Sequence, residues 1–265
     1  MLFVNISKAR VTKMKRNIAY KMRIYPDKMQ REIISKTFGC VRFIYNRMLE
    51  DRIRYYEETG LSLLNTPAPY KLEYEWLKEV DSLALANAQM HLNTAFKNFY
   101  SNRNMGFPKY KSKKSHHYSY TTNMVNSNIK IIGNTIVLPK LKGVRLKKHR
   151  HIPEDYKLKS VTVSMTPAHK YYVSILFEYE EDTALNTGKK YLGLDYAMDG
   201  LYAASDKSFA HYPKYYRQSL DKLKKEQRRL SKMVKGSSNY KKQRIKLSKI
   251  HENISNQRKD FLHKI

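Results

Sequence analysis

Ile18-Ala19-Tyr20-Lys21-Met22-Arg23-Ile24-Tyr25 alternates as a half-buried strand does, and Pro26-Asp27 then breaks the strand and offers a helix cap. From Lys28 to about Glu57 the pattern changes period. Met29, Ile33, Ile34, Phe38, Val41, Tyr45, Met48 and Leu49 recur at steps of three and four, the spacing of one buried stripe on a helix, and Thr59-Gly60 closes it. Thr66-Pro67-Ala68-Pro69 reads as a loop. A second helix follows from Leu83 to Tyr100, with Leu85, Ala88, Leu92, Ala95, Phe96 and Phe99 facing inward.

Farther out, helical period is lost. Residues 106–122 interleave lysines with aromatics, and from Ile129 onward short β-rich runs take over: Ile129–Ile132, Thr135–Leu138, Val144–Lys147, Leu158–Met165 and Tyr171–Tyr179. These runs predict an all-β meander or barrel. The stretch Glu178–Asp182 with Thr183–Lys189 reads as a linker. Beyond it, Tyr191–Tyr196 predicts a buried strand, Met198-Asp199-Gly200 a turn, and Leu201–Ser205 a second strand. Two basic helices follow, separated by Gly236-Ser237-Ser238-Asn239. Their stripes are Leu220, Leu223, Gln227 and Leu230, then Leu247, Ile250, Ile254, Gln257 and Phe261. A helical hairpin is expected. No glycine or proline stops the second stripe, so the helix is expected to run on past Ile265.

Composition bounds the partners. In 265 residues, 41% hydrophobic, 52 lysines and arginines stand against 23 acids, a formal charge of +29. An excess of that size points to a polyanion, because each neutralised phosphate releases condensed counterions. No apolar run reaches about 18 residues, which argues against an anionic membrane as the partner, and a cytoplasmic, nucleoid-associated protein is expected. Cys40 is the only cysteine, which excludes an internal disulfide and a paired-cysteine zinc site.

Segments in four parts of the chain carry a resemblance. They are Arg23-Ile24-Tyr25-Pro26 with Phe38–Asn46; Gly106-Phe107-Pro108-Lys109-Tyr110-Lys111-Ser112-Lys113-Lys114; Leu192-Gly193-Leu194-Asp195; and Lys222–Ser231 continuing into Asn256–His263. In this order they resemble the TnpB family, the RNA-guided DNA endonucleases of insertion sequences. The resemblance implies an α+β chain: an oligonucleotide-binding-type β-barrel (1–27 and 106–186) interrupted by a helical recognition domain (28–105), then the start of an RNase H-like, RuvC-type nuclease domain (187–265). It also implies guide RNA and target DNA as partners, and Mg²⁺ in the complete family site. The missing carboxy-terminal half as a separate chain is a further candidate partner. A non-catalytic DNA- or RNA-binding regulator of the same descent is the alternative.

Asp195 matches the first catalytic carboxylate of that nuclease fold. Mg²⁺ takes hard oxygen ligands, and two ions about 3.5 to 4 Å apart clamp the attacking and leaving oxygens. One aspartate cannot hold two ions, so stable Mg²⁺ binding is not expected here. Asp199 and Asp206 read as turn residues. Between Pro213 and Ile265, 17 lysines and arginines face four acids, too few for salt-bridge lacing, so phosphate contact is expected. Arg217, Arg228, Arg229, Lys232, Lys235, Arg244 and Arg258 are the candidates. Lys109, Lys111, Lys113 and Lys114 can neutralise phosphate, while Tyr110, Tyr118 and Tyr120 can stack bases or tuck onto the barrel. Asn87, Gln89 and Asn93 are candidates to reach base edges, against the plain reading of exposed polar residues. His116-His117 and His149-Arg150-His151 lack cysteine or carboxylate partners and make weak ligands.

Overall fold

The computed structural model describes residues 12–102, 104–115, 117–183, 191–196 and 200–265. Asp199, Met198, His116 and residues 184–189 of the expected linker lie outside these residues; 178–183, read as the first half of that linker, are instead the end of the strand Tyr171–Thr183. Two compact units divide the chain: the first runs up to Asp182 apart from the hairpin tip Pro167–His169, and the second holds Thr183–Ile265.

In the first unit, strand β1 (Thr12–Tyr25) leads into helix α1 (Lys28–Thr59). The junction is a capping box: the Asp27 side chain accepts from the Gln30 backbone N–H at 2.8 Å, and Gln30 returns an acceptor to the Asp27 N–H at 3.1 Å. Gln30 then donates to the Gly143 carbonyl at 3.1 Å, tying the start of the helix to the sheet. Gly60 ends α1 at φ 70°, the left-handed conformation that glycine adopts without Cβ strain. The expected stripe is buried from Ile34 to Leu49, but Met29 is 76% exposed because it precedes the first turn that meets the core. Pro67 does not sit in a loop. It opens a short helix α2 (Pro67–Glu73), where its missing N–H costs nothing. Helix α3 (Ser82–Ser101) starts at Asp81, whose carboxylate accepts from Leu83 N–H at 3.0 Å.

The remaining strands of this unit are β2 (Tyr118–Asn123), β3 (Lys130–Ile132), β4 (Thr135–Leu138), β5 (Leu141–Lys147), β6 (Lys157–Met165) and β7 (Tyr171–Thr183). They form one open sheet in the order β2-β6-β7-β1-β5-β4-β3, with every described register antiparallel. This is not a simple meander. The first described strand sits in the middle of strands that come about a hundred residues later. One continuous core joins Met22 and Ile24 of β1, Ile34, Ile44 and Met48 of α1, Leu85 and Leu92 of α3, and Val144, Val163 and Ile175 of the sheet. Cys40 belongs to it, and burial pushes its thiol up to about 11.

The second unit begins with strands β8 (Leu194–Asp195), β9 (Tyr202–Ala204) and β10 (Phe209–Ala210), ordered β10-β9-β8. Here the expectation of a buried strand is corrected: Tyr191, Leu192, Leu194 and Tyr196 are 94%, 56%, 63% and 77% exposed. β8 is two residues long and, among the described residues, pairs with β9 alone. Three helices follow, α4 (Tyr215–Gln218), α5 (Leu220–Ser231) and α6 (Ser238–Lys264), with Ser237 capping α6 through Tyr240 N–H at 3.1 Å. Among the described residues no helix is long and apolar enough to cross a membrane.

Candidate nucleic-acid interface

The α5–α6 hairpin is closed by few apolar contacts. Leu223 and Ile254 are buried, Leu220, Leu230, Leu247 and Ile250 are half-buried, and Gln227, expected on the inner stripe, is exposed. The inner position is taken by Glu226, only 5% exposed. Its carboxylate accepts from Gln243 Nε2 at 2.6 Å, Lys246 Nζ at 3.0 Å and Arg229 Nη1 at 3.2 Å. The Gln243 and Lys246 hydrogen bonds hold the carboxyl below its ordinary range. One buried acid therefore engages two cations, Arg229 and Lys246, whose side chains stay about half exposed, and leaves the other cations unpaired by it.

The proposed phosphate contacts divide accordingly. Arg217, Arg228, Lys232 and Lys235 are exposed and have no ion-pair partner among the described residues. Arg229 is committed to Glu226. Arg258 lies over the Tyr216 ring at 5.8 Å, and Arg244 is half-buried.

The lysine-tyrosine segment divides too. Lys109, Lys113 and Lys114 are exposed, and Tyr110 is 55% exposed beside a hollow of about 440 Å³ that Arg42 and Asn46 also line. Lys111 is exposed as well, but its ammonium sits 4.0 Å over the Tyr45 ring, where desolvation lowers its pKa. Tyr118 and Tyr120 are not loop residues. Both lie in β2, with ring centroids 5.9 and 5.8 Å from Phe38. Tyr120 is 4% exposed and presents no face to a base, which corrects its reading as a stacking platform; burial pushes its pKa up. Alternation in Tyr118-Ser119-Tyr120-Thr121-Thr122 was the available signal.

Of the three candidate base readers, Asn87 is corrected. It is 6% exposed, and its amide donates to the Leu83 carbonyl one turn earlier at 2.8 Å. Its place between Ala84 and Ala88 puts it on the inner face of α3. Gln89 is half-buried, and Asn93 is exposed with its Oδ1 accepting from Arg52 Nη2 at 2.8 Å.

Asp195 ends β8 opposite Ala203 and is exposed, its Oδ1 accepting from the Tyr196 N–H at 2.8 Å. No group of three or more His, Cys, Asp or Glu side chains that could hold a metal occurs among the described residues. A two-ion site does not fit this donor set. Asp206 closes the β9–β10 turn by accepting from Ser208 N–H at 2.9 Å. His117, His149 and His151 are exposed.

A second basic site went unread in the sequence. The β1–β5 register places Arg23 opposite Lys147 and Tyr25 opposite Arg145. Arg23 and Arg145 lie 5.1 and 5.6 Å from the Tyr25 ring, and a hollow of about 430 Å³ is lined by Tyr25, Asn134, Arg145, Lys147 and Lys148. Like charges directly opposite destabilise a sheet, so the pairing suits an anion. Only the knowledge that β1 pairs with β5 could have revealed it.

A family model described as "Probable transposase" of the OrfB/IS605 type matches residues 174–265, and one described as "Helix-turn-helix domain" of the same type matches residues 14–60. A Streptomyces pristinaespiralis protein named "Putative RNA-guided DNA endonuclease" is 34% identical over 256 residues, covering 93% of this chain and 62% of the relative. Escherichia coli "Putative RNA-guided DNA endonuclease InsQ" is 31% identical over 267 residues, covering 95% and 63%. The chain belongs to the TnpB family. It spans a little under two thirds of the length of these two relatives. "Virulence protein VsdF" of Salmonella dublin is 34% identical over 110 residues, which is 92% of that protein and 36% of this chain. In this TnpB-family chain the helix-turn-helix match does not describe the geometry. Residues 14–60 are one strand and one uninterrupted helix, with no second helix to lie in a groove.

Proposed function

We propose that this TnpB-family chain binds guide RNA and target DNA, supplying charge and shape while base pairing supplies sequence choice. The observation that carries the reading is the set Arg217, Arg228, Lys232 and Lys235, exposed cations left without carboxylates because Glu226 is sequestered inside the hairpin. The Tyr25 site with its opposed Arg23 and Lys147 adds an anion-seeking surface on the sheet. In this reading the seven-stranded sheet is the oligonucleotide-binding-type domain, and β8–β10 with α4–α6 belong to an RNase H-like domain.

Asp195 then stands where the first metal-binding carboxylate of the family is expected. Two-ion chemistry needs several carboxylates around the ions, and Asp195 has no such companions among the described residues. The proposed role is therefore binding, with Asp195 supplying one of the several carboxylates that cutting requires. Filter binding of the full chain to a structured RNA and to duplex DNA, across a salt series, tests the first half. A steep fall of affinity with salt is expected, and salt-independent binding would overturn the reading. Incubation with guide RNA, matched DNA and Mg²⁺ tests the second. Cleavage abolished by Asp195→Ala would show that this chain assembles a working site.

A further inference from the structure

We propose that the hollow between the carboxy-terminal halves of α1 and α3 receives one unpaired nucleobase of a bound single strand, an inference that rests on the nucleic-acid reading above. The hollow has a volume of about 870 Å³, within the range of small-ligand pockets and large enough for a base with its sugar. Its walls are aromatic. Phe107 meets Phe96 and Phe99 edge to face at 5.6 and 5.3 Å, and Phe96 stacks on Tyr100 at 6.2 Å. Tyr100 is 72% exposed and Phe107 45%, so ring surface is offered to a guest.

The floor is Arg52, which lies 5.5 Å from the Phe96 ring and makes no ion pair among the described residues, although Glu57 also lines the hollow. Arg52 is 8% exposed, and its Nε and Nη2 donate to the amide oxygens of Asn65 and Asn93, both at 2.8 Å. Asp51, its neighbour in sequence, faces other partners: the Tyr70 hydroxyl donates to it at 2.6 Å and Arg54 bridges to it at 3.0 Å. A guanidinium carries five N–H donors and no acceptor, so donors remain for a guest. An aliphatic side chain would leave them unpaired in a desolvated site, at a cost. A nucleobase answers both features, because its face stacks on the rings and its carbonyls and ring nitrogens accept from the guanidinium. Lys97, exposed at the rim, is placed for the attached phosphate.

The test uses the full chain and a fluorescently labelled single-stranded oligonucleotide, with the matching duplex as control, at one moderate salt concentration where both bind. Tyr100→Ala and Phe107→Ala are each expected to weaken single-strand binding roughly tenfold and to leave duplex binding unchanged. Tyr100→Trp is expected to restore it. Tyr100 is exposed, so its variant should fold, and circular dichroism confirms this. Wild-type affinity in folded Tyr100→Ala and Phe107→Ala, alongside salt-sensitive binding of RNA and DNA, overturns the pocket alone. Absence of binding to any nucleic acid at low salt overturns the nucleic-acid reading as well.

Discussion

Asn46 of α1 and Lys111 of the basic segment hold each other by two hydrogen bonds: Asn46 Nδ2 donates to the Lys111 carbonyl at 3.0 Å, and the Lys111 N–H donates to Asn46 Oδ1 at 2.8 Å. The side-chain amide acts as a surrogate strand partner, giving one residue of an irregular segment the pairing that secondary structure would otherwise provide. Lys111 Nζ then covers the Tyr45 ring. Two segments sixty-five residues apart, each legible in the sequence as a separate motif, are one structural joint.

Replacing Asn46 with Ala removes both bonds. The expected loss is about 1–2 kcal/mol of unfolding free energy, read from urea denaturation, with faster proteolysis between Lys109 and Lys114. Unchanged proteolysis would mean that the segment is held by other contacts.

Glu226 predicts the pH response of the hairpin. Its folded-state pKa lies below its ordinary value of 4.5, because the charged form accepts hydrogen bonds from Gln243 and Lys246. As pH falls, the unfolded state takes up the proton first. The stabilisation is therefore complete above about pH 4.5 and is lost as pH falls through the lower folded value. Thermal melts of wild type and Glu226→Gln should differ by a constant amount between pH 6 and 8, with the wild type higher, and converge in acid. A gap that widens in acid would contradict the sign.

Arg217, Arg228, Lys232 and Lys235 should be read through salt dependence. Each phosphate contact contributes about 0.9 to the slope of log affinity against log salt on duplex DNA, so a quadruple glutamine variant should lower the slope by roughly 3 to 4. Arg229→Gln tests the division of labour. It is expected to lower hairpin stability and to change the slope little, since Arg229 is engaged with Glu226.

Cys40 offers a reporter of opening in the first unit. It is 4% exposed with its thiol pushed up to about 11, and the thiolate is the reactive form. Iodoacetamide at pH 8 should leave the native chain unlabelled over hours and modify it fully in denaturant. Rapid native labelling would show that α1 detaches from the sheet.

The sequence by itself determined the α1 stripe, the basic hairpin, the strands from β3 to β7, the charge that selects a polyanion and the motifs that place the chain in its family. These are local properties: period, breakers and composition are carried within about twenty residues of one another. Tertiary structure decided which surfaces remain free. It placed β1 between β5 and β7 and so set Arg23 against Lys147; it drew Tyr120 and Asn87 into the core; it hid Glu226 beneath Gln243 and left Leu194 beside Asp195 in solvent. Whether a tyrosine stacks on a base or on Phe38 depends on which strand pairs with its own, and strand pairing between distant segments leaves no periodic mark in either.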